Sequence, residues 1–489
     1  MLASAAAPVS AYDRVLADGF ESIPTYYVAT TGDNANPGTR ALPWKTIKYA
    51  VGDSSPTPAG SVIYVAAGTY IEQVTVAKDG VSLIGYKAEP GDQPRVLANV
   101  PIYMDLSQTD DERFPAFDPA EMPLLDHGDR STGFGFLVQD RQNVTIRNFN
   151  IRNYAYGVSA GNSDRNFAEN LSLDNVNVST VGDTSAAYSG LGIGLGSMST
   201  SFSNGSYVRN ALIINVAAEG LKINGDHNVA RNIRVYSTEP DGNAATDYYV
   251  LMTGSYNVVR DSLIWRWPHS DHAGHGYTIK DNADQLVGGP LMEPMHNLFQ
   301  NNVVYNMGGG YVVRHRGVKQ NTFLDNAAYG TYDGVGDCTY DTGIAIRDGA
   351  IANPFKNTTI ANTCNAIMIG DTLEDGGTLE TPPFDNVIDN AQSNTTYYGV
   401  HFQRYSDAEP NSDAGSNLVT GSNFVLGRYM FFADRPAQQM HYANTHFSGT
   451  ADVDNDGYFR GGPYGGDVVP AQFTNCTFEK FPGGMPPGW

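Results

Sequence analysis

The sequence predicts a right-handed parallel β-helix, which is an all-β solenoid built from stacked coils. The first observation is a five-residue unit that recurs from about residue 143 onward: Asn, a mostly apolar residue, two variable residues, then Asn or Asp. The second is that short strands with alternating apolar residues follow these units, separated by variable loops. Clear units are Asn228–Asn232, Asn257–Asp261, Asn297–Asn301, Asn321–Asp325 and Asn386–Asn390.

Asparagine explains why such a unit can turn a corner. It tolerates left-handed backbone angles and bonds to neighbouring backbone, so asparagines of successive coils can stack in a ladder. A β-propeller or a β-sandwich would need two-residue hairpin turns at regular spacing, and the sequence has no sustained series of them. Since coils add length without adding domains, we expect the 489 residues to form one domain.

The N-terminal segment is predicted to close one end of the solenoid. A strand at Tyr27–Ala29 leads through a loop to a short helix that begins near Pro43 and ends at Val51, before a strand end at Gly68–Tyr70. A helix here would cover exposed strand edges. The domain is expected to span residues 26–489, with an irregular C-terminal cap over about residues 427–489.

This N-terminal run resembles the first coils of the pectin-lyase-like superfamily of β-helix proteins. The shared pattern is an extended strand, a Gly-Asp turn, an Asn-Pro-Gly-Thr loop, a Pro-aromatic-x-Thr-Ile helix and a Gly-Thr-Tyr strand end. In this chain the turn is Gly32-Asp33, the loop is Asn36–Thr39 and the helix motif is Pro43–Ile47. The resemblance implies the fold and says almost nothing about the substrate.

Composition excludes several classes of protein. Hydrophobic residues make up 41% and charged residues 17% of the chain, which indicates a folded protein rather than a disordered one. The net charge of −22 argues against nucleic acid as a partner. No apolar run is long enough to span a membrane, so we expect no membrane partner. We also expect a monomer.

The sequence also bears on the cellular compartment of the protein and on the state of its three cysteines. Residues 1–25 are interpreted as an N-terminal extension carrying the remnant of a signal peptide, because the small residues of Met1–Ala11 end in Val-Ser-Ala. This favours secretion, to the extracellular or periplasmic space of a bacterium. The three cysteines do not form a disulfide framework. Cys338 and Cys364 fall in consecutive coils, so one disulfide and two buried thiols both remain open.

One column of cations is predicted on this acidic chain. When the third strand of each coil is aligned on its leading glycine, the residue four places on is Asn224, Lys280, Arg314, Arg347 and Gln403. Side chains alternate along a strand, so the cations and the leading glycines are expected to face outward. Coils stack roughly 4.8 Å apart, so the three cations would line up with their charged ends in water.

This column suits the chemistry of an acidic polysaccharide. Stacked like charges repel, which favours the neutral amine of Lys280, and a neutral amine can act as a base. β-Elimination from a uronic acid needs a carboxylate neutraliser, a base for the proton beside the carboxyl group, and an acid for the leaving sugar. We expect Lys280 to be the base and Arg314 to bind the carboxylate or assist the leaving group. The expected substrate contacts are Arg347, His275, His315, Arg316, His272 and Trp267, the last because indole faces stack on sugar rings.

The segment from about residue 260 to 325 resembles polysaccharide lyases of the alginate-lyase and chondroitinase B type. Those enzymes are right-handed β-helices with a lysine base and an arginine on neighbouring coils, the arginine in an Arg-His-Gly run. The matching residues are Lys280 and Arg314, although Arg316 interrupts the run. Where that group places calcium-binding acidic residues before the lysine, Ala273 and His275 stand here. We therefore expect His275 or His272 to neutralise part of the substrate charge instead of calcium.

Three other functions remain open. A pair of carboxylates at a suitable separation would make a glycoside hydrolase. A non-catalytic carbohydrate-binding or adhesive protein would use the same face without chemistry, and a uronate epimerase shares the proton-abstraction step with a lyase. The carboxylates near the predicted face are Glu219, Asp226, Asp247, Asp271, Asp281 and Asp348, of which Asp281 and Asp348 directly follow column cations and could pair with neighbours.

Two metal sites are also considered. His269, His272 and His275 have a spacing that could bind a metal, although contact with substrate is the favoured interpretation. Asp452, Asp454 and Asp456 have the spacing of a calcium loop, but a proline stands where the glutamate of the twelfth position is expected. A structural calcium ion and a solvated Asp-rich turn are the two interpretations of that loop. No other cofactor is expected.

Overall fold

The computed structural model confirms the predicted right-handed parallel β-helix. It describes residues 23–94, 118–161, 167–185, 189–196, 201–238, 246–267, 274–281, 292–334, 338, 341–370, 383–403, 416–433, 440–449, 459–461 and 472–479. In this part of the chain 38 strands belong to one sheet, and each strand pairs in parallel with the strand one coil away. The pairings fall into three ladders that run along the solenoid.

The first ladder includes the strands that lie within the Asn units. Its members are β1 (Thr25–Val28), β2 (Val62–Ala66), β5 (Ser82–Tyr86), β8 (Thr145–Arg152), β11 (Ser172–Ser179), β14 (Tyr207–Arg209), β17 (Val229–Arg231), β20 (Val258–Arg260), β23 (Leu298–Gln300), β26 (Thr322–Leu324), β29 (Pro354–Lys356), β32 (Val387–Asp389), β34 (Leu418–Thr420), β36 (His441–Ala443) and β39 (Gln472–Thr474).

The second ladder follows after one corner and shares the long strands β8 and β11 with the first. Its other members are β3 (Gly68–Tyr70), β6 (Pro123–Asp126), β15 (Leu212–Ile214), β18 (Arg234–Ser237), β21 (Leu263–Arg266), β24 (Val303–Tyr305), β27 (Ala327–Tyr329), β30 (Thr359–Ala361), β33 (Gln392–Gln403), β35 (Asn423–Ala433), β37 (His446–Gly449) and β40 (Thr477–Glu479).

The third ladder carries the predicted cation column. Its members are β4 (Val74–Val76), β7 (Phe134–Val138), β9 (Tyr156–Ala160), β12 (Leu191–Leu195), β16 (Ala218–Ile223), β19 (Thr246–Met252), β22 (His275–Lys280), β25 (Gly309–Arg314), β28 (Thr342–Arg347), β31 (Asn365–Gly370), the later halves of β33 and β35, and β38 (Phe459–Gly461). Outside the three ladders, β10 (Phe167–Glu169) pairs with β13 (Phe202–Asn204).

The asparagine ladder at the first corner is confirmed. The amide oxygen of Asn297 accepts hydrogen bonds from the backbone N–H and the side-chain nitrogen of Asn257, at 2.8 and 3.0 Å. The same pair of bonds recurs from coil to coil along Asn228, Asn257, Asn297, Asn321, Asn353, Asn386 and Asn417, all of them buried. The last residue of each unit has a left-handed backbone, as at Asn232, where φ is 53°. The unit therefore supplies one buried ladder and one tight turn per coil.

The interior is a continuous stack of apolar side chains. Phe299, Phe323 and Phe355 lie on successive coils with ring centroids 5.0 and 4.4 Å apart, and their planes are almost parallel. The aromatic rings of successive coils therefore contact one another in the core. Each coil is stabilised by its contacts with the two neighbouring coils.

The N-terminal cap forms as predicted. Helix α1 (Ile47–Val51) begins after Thr46, whose side chain accepts a hydrogen bond from the Tyr49 N–H. The carboxylate of Glu72 accepts hydrogen bonds from the backbone of Ile47 and Lys48, each at 2.9 Å. These contacts satisfy N–H groups at the start of the helix and fix it over the first coils.

The repeat ends later than the sequence indicated. The first ladder stays paired from β34 through β36 to β39, and the second from β35 through β37 to β40, which ends at Glu479. Phe447 and Phe478 stack at 5.4 Å and continue the interior there. Strand pairing therefore extends well into the segment that was expected to be an irregular cap.

The structure decides whether Cys338 and Cys364 form a disulfide or stay as two thiols. Cys338 and Cys364 form a disulfide bond with a Cα–Cα distance of 5.3 Å, whereas Cys476 is a thiol. Among the described residues, no helix is long and apolar enough to cross a bilayer. The N-terminal extension before residue 23 lies outside the described residues, as does the Asp452–Asp456 loop.

Candidate active site

The three cations occupy one column, as the register predicted. Lys280 at the end of β22 pairs with Arg314 of β25, and Arg314 pairs with Arg347 of β28. The column continues to Gly370 of β31. Because parallel strands keep their register, the three side chains leave neighbouring coils at equivalent positions.

The predicted exposure of these cations is wrong. Lys280 retains only 3% of its surface, and the side chains of Arg314 and Arg347 retain 20% and 14%. Strand alternation predicts which side chains point away from the core, but it does not predict which neighbouring residues bury them. Here the Lys280 amine lies over the ring of Tyr248, 4.8 Å from its centroid, so the outer face of this ladder is itself packed.

The leading glycines do not face outward, which is a second correction. A Cβ atom on Gly310 would lie 3.2 Å from Val304, and one on Gly343 would lie 2.8 Å from Ile360, and both of these neighbours belong to the core. Tyr311, the next residue after Gly310, is also in the core. Two consecutive residues thus face inward near the start of β25, and the strict alternation used to assign the glycines fails there.

One buried carboxylate forms a hydrogen bond with Arg314 and a longer ion pair with Arg347. Arg314 Nε lies 2.6 Å from Asp348 Oδ2, and Arg347 Nε lies 3.9 Å from the same oxygen. The Asp348 side chain is fully buried. A carboxylate removed from water compensates charge more effectively than an exposed one, so it offsets the repulsion between the stacked guanidinium groups.

A second acidic residue holds His315. The Nδ1 atom of His315 lies 2.7 Å from Asp281 Oδ1, and the Gly317 N–H donates to the other oxygen of Asp281 at 3.3 Å. Both His315 and Asp281 are buried. The structure therefore gives His315 a contact with Asp281, and its expected contact with substrate stays a prediction.

His275 is a histidine with a lowered pKa. Burial, together with the neighbouring charges of Arg347, Arg314 and Lys280, lowers the pKa of His275 to about 4, and Asp247 opposes this shift. Its Nδ1 atom is buried without a hydrogen-bond partner among the described residues. A pKa in this range disfavours the charged imidazole near neutral pH, and the expected contact of His275 with substrate stays a prediction.

Tyr248 is the member of this cluster that the sequence did not reveal. Its ring lies 5.2 Å from the His275 ring and under the Lys280 amine. Burial raises the pKa of Tyr248, whereas the charge of Lys280 and a hydrogen bond from it lower that pKa in part. The coil was missed because Tyr249 stands where neighbouring coils have the leading glycine on which the strands were aligned. Alignment on the preceding Asn units would have included it.

Of the other expected site residues, Arg316 and Trp267 are described by the structure, and His272 is not. Arg316 is exposed, and Trp267 is half-buried against Trp265, 5.8 Å between ring centroids, where the second ladder ends. His272 and His269 lie outside the described residues. No group of three or more potential metal ligands occurs in the described part of the chain.

Most of the candidate acidic residues are engaged in structural contacts. Glu219 pairs with Lys222 at 3.1 Å, and Asp226 accepts a hydrogen bond from the Ser255 N–H at 2.7 Å. Asp281 and Asp348 hold the cluster cations and His315 as described above, which confirms that they pair with neighbours. Asp271 lies outside the described residues, and Asp247 lies beside His275.

Comparison with solved structures identifies the fold. A mannuronic acid specific polysaccharide family 6 lyase from human gut microbiota aligns with a TM-score of 0.51 and 10% identity, over 92% of this chain and 92% of that one. This chain therefore shares its fold with that enzyme. At this identity the likeness concerns the fold alone, and no protein-family model or curated protein matches the sequence.

Other solved structures with the same β-helix fold align less closely. The A-module of a mannuronan C-5 epimerase from Azotobacter vinelandii has a TM-score of 0.48 and 12% identity, over 86% of this chain and 91% of that one. A rhamnogalacturonan lyase has a TM-score of 0.43 and 16% identity, over 79% of this chain and 86% of that one.

Proposed function

We propose that this protein is a secreted carbohydrate-active enzyme that cleaves a uronic-acid-containing polysaccharide by β-elimination. One observation carries the proposal: Lys280, Arg314 and Arg347 lie in register on three consecutive coils, and a buried carboxylate holds the two arginines together. The fold it shares with a polysaccharide lyase supports this assignment.

The arginines are suited to bind the substrate carboxylate. Guanidinium groups present a planar set of donors that matches a carboxylate, and Arg314 and Arg347 keep partial exposure beyond their contacts with Asp348. Neutralising that carboxylate acidifies the C5–H bond beside it, because the charge that develops there is stabilised by fixed cations. This supplies the role that the sequence had assigned to His275 or His272.

Lys280 is placed to remove the C5 proton. It neighbours Arg314 in the register, so its amine lies on the coil next to the guanidinium group proposed to bind the carboxylate. Loss of the proton forms the C4–C5 double bond as the C4–O4 bond breaks, which leaves an unsaturated uronate at the new chain end. An epimerase would share the first of these steps and return a proton to C5 from the other face.

Hydrolysis by a carboxylate pair has less support. A glycosidase needs one carboxylic acid to donate a proton and one carboxylate to assist water or attack. Of the acidic candidates described, Glu219, Asp281 and Asp348 already pair with Lys222, His315 and Arg314. An adhesive function would not need the buried charge network around Lys280.

Secretion and calcium remain parts of the proposal. The disulfide between Cys338 and Cys364 supports an oxidising compartment, since such bonds persist mainly in exported proteins. A structural calcium ion at Asp452, Asp454 and Asp456 is proposed on sequence spacing alone.

The proposal is tested by incubating the protein with alginate, pectate and chondroitin and following the absorbance of the unsaturated product. We expect absorbance to rise with at least one polymer, and Lys280→Ala to abolish the rise. The matched control is Lys319→Ala, because Lys319 is partly exposed and pairs with Glu293 away from the cluster. Reducing sugar without absorbance would indicate a glycosidase, and binding without either product an adhesive protein.

A further inference from the structure

The outer face of the first ladder carries a second column of cations. Arg209 of β14 pairs in register with Arg231 of β17, and Arg231 pairs with Arg260 of β20. The residue before each of these arginines lies in the hydrophobic core, so the arginines themselves point away from it. Three guanidinium groups are thus carried at equivalent positions of consecutive coils, as in the proposed active site but on another ladder.

This second column is open to solvent. The side chains of Arg209, Arg231 and Arg260 retain 46%, 48% and 43% of their surface. Lys280 of the proposed active site retains only 3%. A ligand in solution can therefore contact the arginines of the first ladder without displacing other side chains.

Carboxylates offset only part of the charge on this face. In the described part of the chain, four arginines share two aspartates, with N–O distances of 3.4 Å for Arg147–Asp174, 2.5 Å for Arg209–Asp174, 3.0 Å for Arg231–Asp261 and 4.0 Å for Arg260–Asp261. These contacts leave positive charge in excess on a chain whose net charge is −22. Like charges at facing positions of adjacent strands repel, and a bound polyanion would offset that repulsion.

An apolar strip runs beside the arginine column. It consists of the half-buried first residues of the same strands and of the next one, which also stay in register: Tyr207, Val229, Val258 and Leu298. The Arg209 guanidinium lies 5.8 Å from the centroid of the Tyr207 ring, so the column and the strip are in contact. The first ladder thus presents charge and apolar surface side by side.

We propose that this face, formed by the arginine column and the apolar strip, binds an acidic polysaccharide at a surface separate from the proposed active site. Coils stack roughly 4.8 Å apart, so the three arginines extend over about 10 Å, which is more than one carboxylate or sulfate group can contact. A polysaccharide repeats its anionic groups along the chain and can bury the C–H faces of its rings on the apolar strip.

Single-stranded nucleic acid fits this face less well, although it is also a polyanion. Its bases need open aromatic faces on which to stack. The exposed aromatic ring at the nearby corner is that of Tyr256, and it lies between the rings of His227 and His296, with centroids 5.1 and 5.2 Å away. The strip itself is mostly aliphatic, which suits sugar rings better than bases.

Binding here has a consequence for catalysis. A polymer attached to the first ladder keeps its other segments near the cation column of the third ladder, which raises their effective concentration there. This consequence, unlike the binding itself, rests on the β-elimination proposed above.

The first test maps the surface by chemical modification of arginine. The Lys280→Ala variant, chosen so that the polymer is not consumed, is treated with phenylglyoxal in the presence of alginate, neutral dextran or single-stranded DNA. Mass spectrometry then identifies the modified residues. We expect alginate to protect Arg231 and Arg260 and dextran to leave them reactive, while the exposed Arg40 reacts equally in every sample.

Two results of this mapping would overturn the inference. One is that alginate leaves Arg231 and Arg260 as reactive as dextran does. The other is that DNA protects them as well as alginate, since the face would then bind polyanions without regard to sugar. Protection by alginate in a protein that cleaves no polymer would support the inference while refuting the proposed function.

The second test removes charge from the column. In the Lys280→Ala protein, we expect Arg231→Gln/Arg260→Gln to raise Kd for alginate about tenfold, because each exposed ion pair contributes modestly. The dependence of Kd on salt should weaken as well, since the lost contacts are ones that salt screens. Isothermal titration calorimetry measures both effects.

The matched control is Arg40→Gln/Arg152→Gln in the same protein. These arginines are also exposed, but each pairs with one carboxylate, that of Glu89 or Asp126, and the change in net charge is identical. We expect Kd for alginate to stay within about twofold of the parent. An equal rise in both double variants would overturn the inference, because net charge rather than the column would then govern binding. Thermal unfolding checks that both variants remain folded.

Discussion

At the scale of single residues, Asp348 combines an unusual backbone with a demanding electrostatic role. Its φ is 53°, a left-handed conformation, and its buried carboxylate contacts two guanidinium groups. Asparagine tolerates that backbone equally well, so Asp348→Asn removes the charge without adding strain. The substitution therefore tests how much the Asp348 charge contributes to the stability of Arg314 and Arg347 in the folded protein.

We expect Asp348→Asn to raise KM for the polyuronate substrate roughly tenfold and to lower the free energy of unfolding by about 3 kcal/mol, because two partly buried cations lose their counter-charge. Steady-state kinetics and urea unfolding measure the two effects. Asp325→Asn is the matched control, since Asp325 is exposed and has a φ of 55°. Equal effects in both variants would contradict the role of Asp348.

His275 predicts a pH dependence of stability. Its folded pKa is about 4, below the ordinary value of 6.5, so the unfolded state binds the proton more readily. Stability is therefore unaffected by this group above pH 6.5 and falls as the pH drops toward 4, by about 3 kcal/mol in total. Urea unfolding of His275→Gln between pH 4 and 7 should show a smaller fall than the wild type. The exposed His227→Gln serves as the control.

At the scale of structural elements, the asparagine ladder couples neighbouring coils through buried polar bonds. Asn321 accepts from Asn297 and donates to Asn353, with side-chain distances of 2.8 and 3.0 Å. Its removal leaves donors of Asn297 and the acceptor of Asn353 without this partner in a buried environment. Such orphaned groups cost more than the bond itself contributes.

Asn321→Ala is therefore expected to lower the free energy of unfolding by about 3 kcal/mol, measured by urea unfolding. The control is Asn357→Gly, at an exposed corner where φ is 54° and glycine fits without strain. We expect that change to cost less than about 1 kcal/mol. A larger loss at Asn357 than at Asn321 would show that the turns, rather than the ladder, carry the stability.

The sequence predicts the elements well and their packing poorly. The Asn units locate the corners, and the leading glycines place Lys280, Arg314 and Arg347 in one register. The burial of Lys280 was missed because alternation concerns one strand, whereas coverage depends on neighbouring side chains such as Tyr248. The sequence did not predict that Gly310 faces the core, because the alternation of inward and outward residues fails near the start of this strand.

At the scale of the whole molecule, one covalent link joins two coils near the cation column. Cys338 and Cys364 are separated by 26 residues in the sequence, and closing such a loop removes conformational entropy from the unfolded chain. The disulfide therefore restricts the unfolded state while it ties β31 to the segment before β28.

We expect the double variant Cys338→Ser/Cys364→Ser to lose about 3.5 kcal/mol of unfolding free energy, from the loop-closure relation for this separation. Guanidinium unfolding with and without reductant measures it: reductant should lower the wild type to the level of the variant. Cys476→Ser, which removes the unbridged thiol, should respond to reductant like the wild type. An insensitive wild type would contradict the bridge.

The location of the cations on consecutive coils has an evolutionary consequence. Each coil of the solenoid is stabilised by its immediate neighbours, and the three cations of the proposed active site lie on β22, β25 and β28. Duplication or deletion of whole coils toward either terminus would leave these three strands undisturbed. Such changes can thus lengthen or shorten the solenoid while they keep the column of cations intact.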